Sequence, residues 1–276
     1  MNQDLASYQY FAFEPRAQMF SPQNALSLAK FSALVYDAPG PVALVLEELW
    51  GLTHFQDIED ADPEEDTQAF VAANDDIILI GFRGTESKRE DWFTNINFSL
   101  EDFQGGKAHR GFVEALAVVW PTLLESLVRF QTRGQSIWLT GHSLGGALAV
   151  LCADLLVSKQ IPVQGVYTFG QPRVGDADFA RVLGQRLSAQ YFRVVNEGDY
   201  VSFVPPEWFG FAHAGQDIVF NTGGEIVLTA QGWESWWQDT YAMGQSFWNK
   251  GGKPFREHGI QEYVYRLALH LEAGRS

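Results

Sequence analysis

Between residues 68 and 196 the chain alternates short apolar stretches with longer ones of helical spacing, and no other feature of the sequence restricts the fold as much. The run IILIGF at 77–82 is too short for a buried helix and suits a strand covered on both faces. A preceding stretch, TQAFVAA, reads as its partner strand, joined to it at Asn74, Asp75 and Asp76. Next, FVEALAVVWPTLLESLVRF has apolar residues at helical spacing, with Pro121 marking a kink or a helix start and Gly134 closing the segment. SIWLT, VQGVYTF and YFRVVN then read as strands, separated by GALAVLCADLLV, a buried helix, and DADFARVLGQRLS, an amphipathic one. Such alternation predicts βαβ units, and hence a mostly parallel sheet with helices on both faces. Without a repeat or a linker-like stretch, residues 1–276 are expected to form a single domain.

Composition narrows the function classes. Hydrophobic residues make up 46% of the chain and charged residues 19%, which suits a large core and argues against disorder. With 19 basic and 34 acidic residues the net charge is −15, so no nucleic-acid partner is expected. The first twenty residues lack the basic start and apolar run of a secretory signal, and a lone cysteine excludes an internal disulfide. The expectation is a cytoplasmic protein, or one exported without a visible signal. Cys152 lies in an apolar run and reads as core. That run is interrupted by Asp154 and is too short for a transmembrane segment. The acidic stretch from Asp57 to Asp66 lacks the sixth-position glycine of a calcium loop and reads as solvated. Neither a metal nor an organic cofactor is expected.

Gly141, Ser143 and Gly145 fit G-x-S-x-G, a pattern that arises by chance about once in eight chains this rich in glycine. A second copy beginning at Gly244 and Ser246 fails because Trp248 fills the last glycine position. Only the first lies between a short apolar strand and a helix, where a sharp turn would present the Ser143 hydroxyl above the sheet edge. A phosphate-binding loop is disfavoured, since no lysine lies near the helix start.

GFRGT at 81–85, AHRGF at 108–112, TGHSLGGALA at 140–149 and TFGQPRVGD at 168–176 occur in that order, followed by NEGDYVSFVPP and EHGIQEYVYRL. In these motifs the chain resembles the class 3 lipase family, the α/β-hydrolase group that includes fungal triacylglycerol lipases. The resemblance covers residues 25–267, is densest over 78–206 and is poor over 217–253. It implies an α/β-hydrolase fold with a lid segment after Thr85.

A serine nucleophile needs a base, and the base needs a carboxylate; in α/β-hydrolases the chain order is serine, acid, histidine. His54 and His109 precede the serine, and the ring of His142 should point away from it. His109 reads as a buried structural residue, His213 as packing in a strand-like stretch, and His270 as a helix surface residue. His258 occupies a polar loop before the last helix, where this architecture presents its base, and the resemblance points to the same residue. Among the acids, Asp176 and Asp178 suffice as helix caps and Asp217 lies in an expected hairpin. Asp199 follows the strand YFRVV at its carboxyl end, and the family's pattern maps onto it as well. The expected triad is Ser143, Asp199 and His258.

One oxyanion donor is expected from the backbone of Leu144, and the resemblance assigns the second to Thr85. It also implies a lid over residues 86–100 with Trp92, Phe93 and Ile96 facing substrate; an ordinary surface helix is the alternative. An aromatic-rich insertion at about 230–250, with Trp233, Trp236, Trp237, Tyr241, Phe247 and Trp248, reads as the packed face of an extra helix, with a wall of the acyl pocket or a lipid-contacting surface as the alternative. The implied activity is ester hydrolysis, foremost of triacylglycerols, with transient contact to a lipid surface. Phospholipase A1 and aryl or feruloyl esterase activities are the alternatives, and a non-catalytic lipid-binding protein is the reading from another class.

Overall fold

The computed structural model describes residues 8–36, 39–59, 67–84, 98–227 and 257–274. Its centre is an eight-stranded sheet of β1 (His54–Glu59), β2 (Gln68–Ala73), β3 (Ile77–Phe82), β6 (Ser136–His142), β7 (Gly165–Phe169), β9 (Tyr191–Asn196), β11 (Gln216–Phe220) and β12 (Ile226–Val227), in that spatial order. The five strands from β3 to β11 run parallel, while β1, β2 and β12 extend the edges antiparallel. The mostly parallel sheet read from the alternation is therefore present.

Alternate residues of the central strands supply two cores, as the pleat demands. From β3, Ile78, Ile80 and Phe82 face one side with Ile137, Leu139 and Val166, whereas Ile77 and Leu79 face the other with Trp138, Tyr167 and Phe169. The first side is covered by α3 (Arg110–Phe130), α4 (Leu144–Ser158) and α5 (Ala177–Leu187). The second is covered by α1 (Pro22–Leu34), the short α2 (Pro39–Leu44) with its π-helical continuation Val45–Leu49, and α6 (Ile260–Ala273). α4 is buried on nearly every face, Cys152 included, which explains why its sequence has no polar side.

Pro121 is neither a start nor a stop: α3 begins at Arg110 and runs through it to Phe130. α3 is also the one helix among the described residues long and apolar enough to cross a membrane by length and composition. Here Phe112, Leu116, Val119, Leu123 and Leu127 form one stripe buried against the sheet, the pattern of a core helix.

α1 escaped the sequence reading. Ser21 caps it by accepting the N–H of Asn24 at 3.2 Å, and Pro22 occupies the first turn. A second, antiparallel sheet was not anticipated either: β4 (Leu100–Phe103), β5 (Gly106–His109), β8 (Gly175–Asp176) and β10 (Phe211–Ala212). Asp176 behaves as the expected cap, taking the N–H of Phe179 at 2.8 Å.

Candidate active site

β6 turns into α4 at Ser143 with φ 57° and ψ −127°, a conformation that costs a residue with a side chain on the order of 1–3 kcal/mol. Its two flanking glycines are required. A Cβ on Gly141 would lie 2.2 Å from the carbonyl oxygen of Gly145, and one on Gly145 would lie 2.2 Å from that of Phe82. The strained residue is held from both ends: its N–H donates to Phe169 at 2.9 Å, and its carbonyl accepts the N–H of Gly146 at 3.0 Å. Leu144 follows at the N-terminus of α4, where backbone N–H groups and the helix dipole favour negative charge.

Asp199 lies just beyond the carboxyl end of β9, fully buried. His258 Nδ1 stands 2.9 Å from its Oδ2 and 3.1 Å from its Oδ1, so the imidazole presents Nδ1–H to the carboxylate and leaves Nε2 as the opposite edge. Two further donors complete the carboxylate: the N–H of Val201 at 2.9 Å, and the hydroxyl of Tyr263. Burial, then the Asp199 charge, pushes the Tyr263 phenol well above its ordinary range, so it stays protonated and donates. Gly170, at the end of β7 with φ 56°, makes room for this pair. A Cβ there would meet Asp199 Oδ2 at 2.5 Å and His258 Nδ1 at 2.8 Å.

Of the three residues expected as a triad, Asp199 and His258 meet directly and Ser143 stands at the strained end of β6, while Tyr263 and Gly170 were not anticipated. Tyr263 sat within an apolar helical pattern that accounted for it without a polar role. Gly170 carried a signal in the TFGQPRVGD motif, but not one that named its neighbours. Thr85, Trp92, Phe93, Ile96, the remainder of the lid stretch to residue 97, and the aromatic stretch 233–248 lie outside the described residues. Of the expected lid 86–100, residues 98–100 are described, and Leu100 opens β4, so the last residue of that stretch belongs to a strand. His109 is buried and stacks on Phe112 with centroids 4.1 Å apart, as expected of a structural histidine. His270 is less exposed than anticipated, its Nδ1 lying 3.2 Å from the carbonyl of Gly224.

The loop that carries Asp199 is pinned from beneath by buried charge. Arg173 donates through Nη1 to the carbonyls of Phe203 and Pro205 and through Nη2 to Glu207 at 2.8 Å, while its backbone N–H bonds Val204 at 2.7 Å. Arg193 pairs with Asp217 across β9 and β11. His213 does more than pack: Nε2–H donates to the Ser202 carbonyl at 2.6 Å, with Arg193 Nη2 2.9 Å from the same nitrogen. Burial, then the charges of Arg193 and Arg173, holds its pKa well below the usual 6.5. The native state therefore keeps His213 neutral where the unfolded chain binds a proton. Stability present above pH ~6.5 is lost as the pH falls towards the folded-state value, by up to about 1.4 kcal/mol per pH unit. His213→Gln, which retains a donor for Ser202, is expected to remove that slope in urea unfolding compared at pH 7 and pH 5. An unchanged slope would show that another group carries it.

The parallel sheet, the strained serine turn entering a buried helix, and the acid–imidazole pair beyond the later strands define an α/β-hydrolase. Residues 79–209 match the family model described as lipase (class 3). A lipase of Rhizomucor miehei is 39% identical over 163 residues, covering 55% of this chain and 44% of its own length. A secreted mono- and diacylglycerol lipase of Fusarium solani is 34% identical over 151 residues, again covering 44% of its own length and 53% of this chain. The chain thus spans under half the length of these curated relatives. Among solved structures, a triacylglycerol lipase whose catalytic centre is formed by a serine protease triad aligns with a TM-score of 0.60 at 30% identity, over 74% of this chain and 82% of that one. The chain belongs to the class 3 lipase family.

Proposed function

We propose that this protein hydrolyses carboxylic esters, foremost those of acylglycerols, through an acyl-enzyme on Ser143. The Asp199–His258 pair, buried beside the end of the strand that carries the strained serine, is the observation that carries this reading. His258 Nε2 takes the hydroxyl proton as Ser143 Oγ attacks the ester carbonyl, and Asp199 steadies the imidazolium. Negative charge on the carbonyl oxygen is met by the N–H of Leu144 and by the loop beyond Gly84, where the family pattern puts Thr85. Collapse of the tetrahedral intermediate breaks the ester C–O bond, and His258 returns the proton to the departing alcohol. Water, deprotonated by the same imidazole, then attacks the acyl-serine, releasing the acid and regenerating Ser143.

The substrate class rests on kinship and on surface chemistry. The aligned relatives are triacylglycerol and mono- and diacylglycerol lipases. Trp208 and Phe209 are exposed, and the ring of Phe98, near the end of the proposed lid 86–100, lies 4.9 Å from that of Phe209. The Trp208 indole favours an apolar–polar boundary, and the exposed apolar rings beside it suit transient contact with a lipid surface. The two cores share one sheet, which supports a single folded unit for the chain.

Initial rates on glycerol esters of increasing acyl length, measured below and above their solubility limits, test the substrate. Higher rates on emulsified long-chain esters are expected. A preference for soluble aryl esters such as feruloyl esters, with no gain on emulsions, would transfer the protein to the esterases; selective release from the first position of phospholipids would make it a phospholipase A1.

A further inference from the structure

His142 is the last residue of β6, directly before Ser143, and both of its ring nitrogens are committed to groups other than the serine. The histidine nearest the serine in sequence is therefore not its base. Its ring is fully buried and engaged at both nitrogens. Nε2 meets the backbone carbonyl of His258, and Nδ1 lies 3.3 Å from the hydroxyl of Tyr36, just beyond the end of α1. That hydroxyl in turn receives the N–H of Gly84 at 3.2 Å.

The carbonyl and the amide at its two ends fix the outer hydrogen bonds of this relay, and the middle one follows for a neutral His142 ring. A carbonyl only accepts, so Nε2 of His142 carries the proton, and Nδ1 of the neutral ring is then an acceptor. Tyr36 fills that acceptor with its O–H and takes the amide N–H of Gly84 on an oxygen lone pair. The series runs one way, Gly84 N–H to Tyr36 to His142 to the His258 carbonyl. Bonds aligned in this manner polarise and strengthen one another in a buried setting.

Both termini belong to the proposed chemistry. Gly84 immediately precedes Thr85 on the loop to which the second oxyanion donor is assigned, and His258 is the base itself. His258 sits on a short turn ahead of α6, and Asp199 restrains only its ring. The bond from His142 restrains its backbone, and the two imidazoles lie with centroids 4.5 Å apart at 34°.

We propose that Tyr36 and His142 are positioning residues: a buried hydrogen-bond relay that sets the base and the oxyanion loop in a common register with the nucleophile. This inference rests on the reading of Ser143, Asp199 and His258 as the catalytic set. A loop displaced by about 1 Å can lose on the order of 10²-fold in rate. The loss should fall on kcat rather than KM, because neither residue is required for ground-state binding.

The test compares His142→Phe, His142→Gln, Tyr36→Phe and the Tyr36→Phe/His142→Phe pair on a soluble short-chain ester, with Tm measured for each. Ser143→Ala and His258→Ala serve as references. His142→Phe should lower kcat by on the order of 10²-fold with KM nearly unchanged. Gln carries a donor that reaches about as far as Nε2, so His142→Gln should recover most of that loss. Tyr36→Phe should cost about tenfold, and the pair should be no slower than His142→Phe alone, since both act through one chain. Wild-type kcat in His142→Phe would overturn the relay, as would equal losses in Gln and Phe that track Tm, or additive losses in the pair. Should His142→Phe not fold, Tyr36→Phe and His142→Gln still decide, because wild-type kcat in Tyr36→Phe alone removes the link to Gly84. Turnover surviving in Ser143→Ala or His258→Ala would instead overturn the catalytic reading beneath it.

Discussion

Ser143→Gly is expected to abolish ester turnover and to make the protein harder to unfold. The nucleophile is lost, and removal of a triad serine commonly lowers kcat by a factor on the order of 10⁶. The same change relieves a backbone that only glycine adopts without strain, at φ 57° and ψ −127°. Relief of about 1–3 kcal/mol is offset by up to ~1 kcal/mol from the greater freedom of glycine in the unfolded chain, leaving a net gain of about 1 kcal/mol. Ser143→Ala should be equally inactive with no such gain, because alanine keeps the Cβ. Labelling by an organophosphate, followed by mass, and urea unfolding of the three proteins check both halves. Covalent labelling that persists in either variant would remove Ser143 from the chemistry. Equal stability of the two variants would mean that the turn holds no strain worth releasing.

Asp199→Asn is expected to lower kcat by about 10⁴-fold while leaving the fold intact. The carboxylate accepts from His258 Nδ1, the N–H of Val201 and the Tyr263 hydroxyl, and so dictates where the imidazole proton sits. An asparagine turns one acceptor into an NH₂ donor. If that NH₂ faces the ring, Nδ1 must accept and the proton moves to Nε2, the edge that should take the serine proton. If it faces Tyr263 or Val201 instead, two donors oppose each other in a buried site, which costs about 1–3 kcal/mol. Single-turnover acylation, measured with an ester whose leaving group is chromogenic, separates this step from binding. Acylation within tenfold of wild type would show that a different carboxylate orients the base. Asp217 would not be that group, since it is committed to Arg193.

Much of the site was legible because its signals are local. Strand-like and helix-like stretches differ in period, and the five parallel strands of the sheet include each stretch whose pattern marked it as a strand between residues 77 and 196. G-x-S-x-G is a statement about one turn. The structure adds the reason for its glycines, which is backbone contact between residues four apart and with β3. The chain order of serine, acid and histidine then singled out Asp199 and His258, which face each other 59 positions apart. Pro121 does not start the helix, because the buried stripe of α3 continues on both sides of it.

What stayed hidden has partners distant in sequence and no period of its own. Tyr263 lies on the buried stripe of α6, where an apolar role accounts for it fully, until folding brings its hydroxyl to a carboxylate 64 positions away. Tyr36 and His142 are 106 positions apart, and nothing near either one announces the other. Arg173, Arg193 and His213 likewise look like scattered polar residues among strands, and only their hydrogen bonds to the Phe203, Pro205 and Ser202 carbonyls and the contact of Arg193 with His213 make them the support of the Asp199 loop. The sequence by itself determined the layer architecture, the turn at Ser143 and the shortlist of acid and base, since each follows from short-range geometry. Tertiary structure alone decided which buried polar atoms meet, because a hydrogen bond depends on position to within a few tenths of an ångström, and no local pattern specifies that between distant segments.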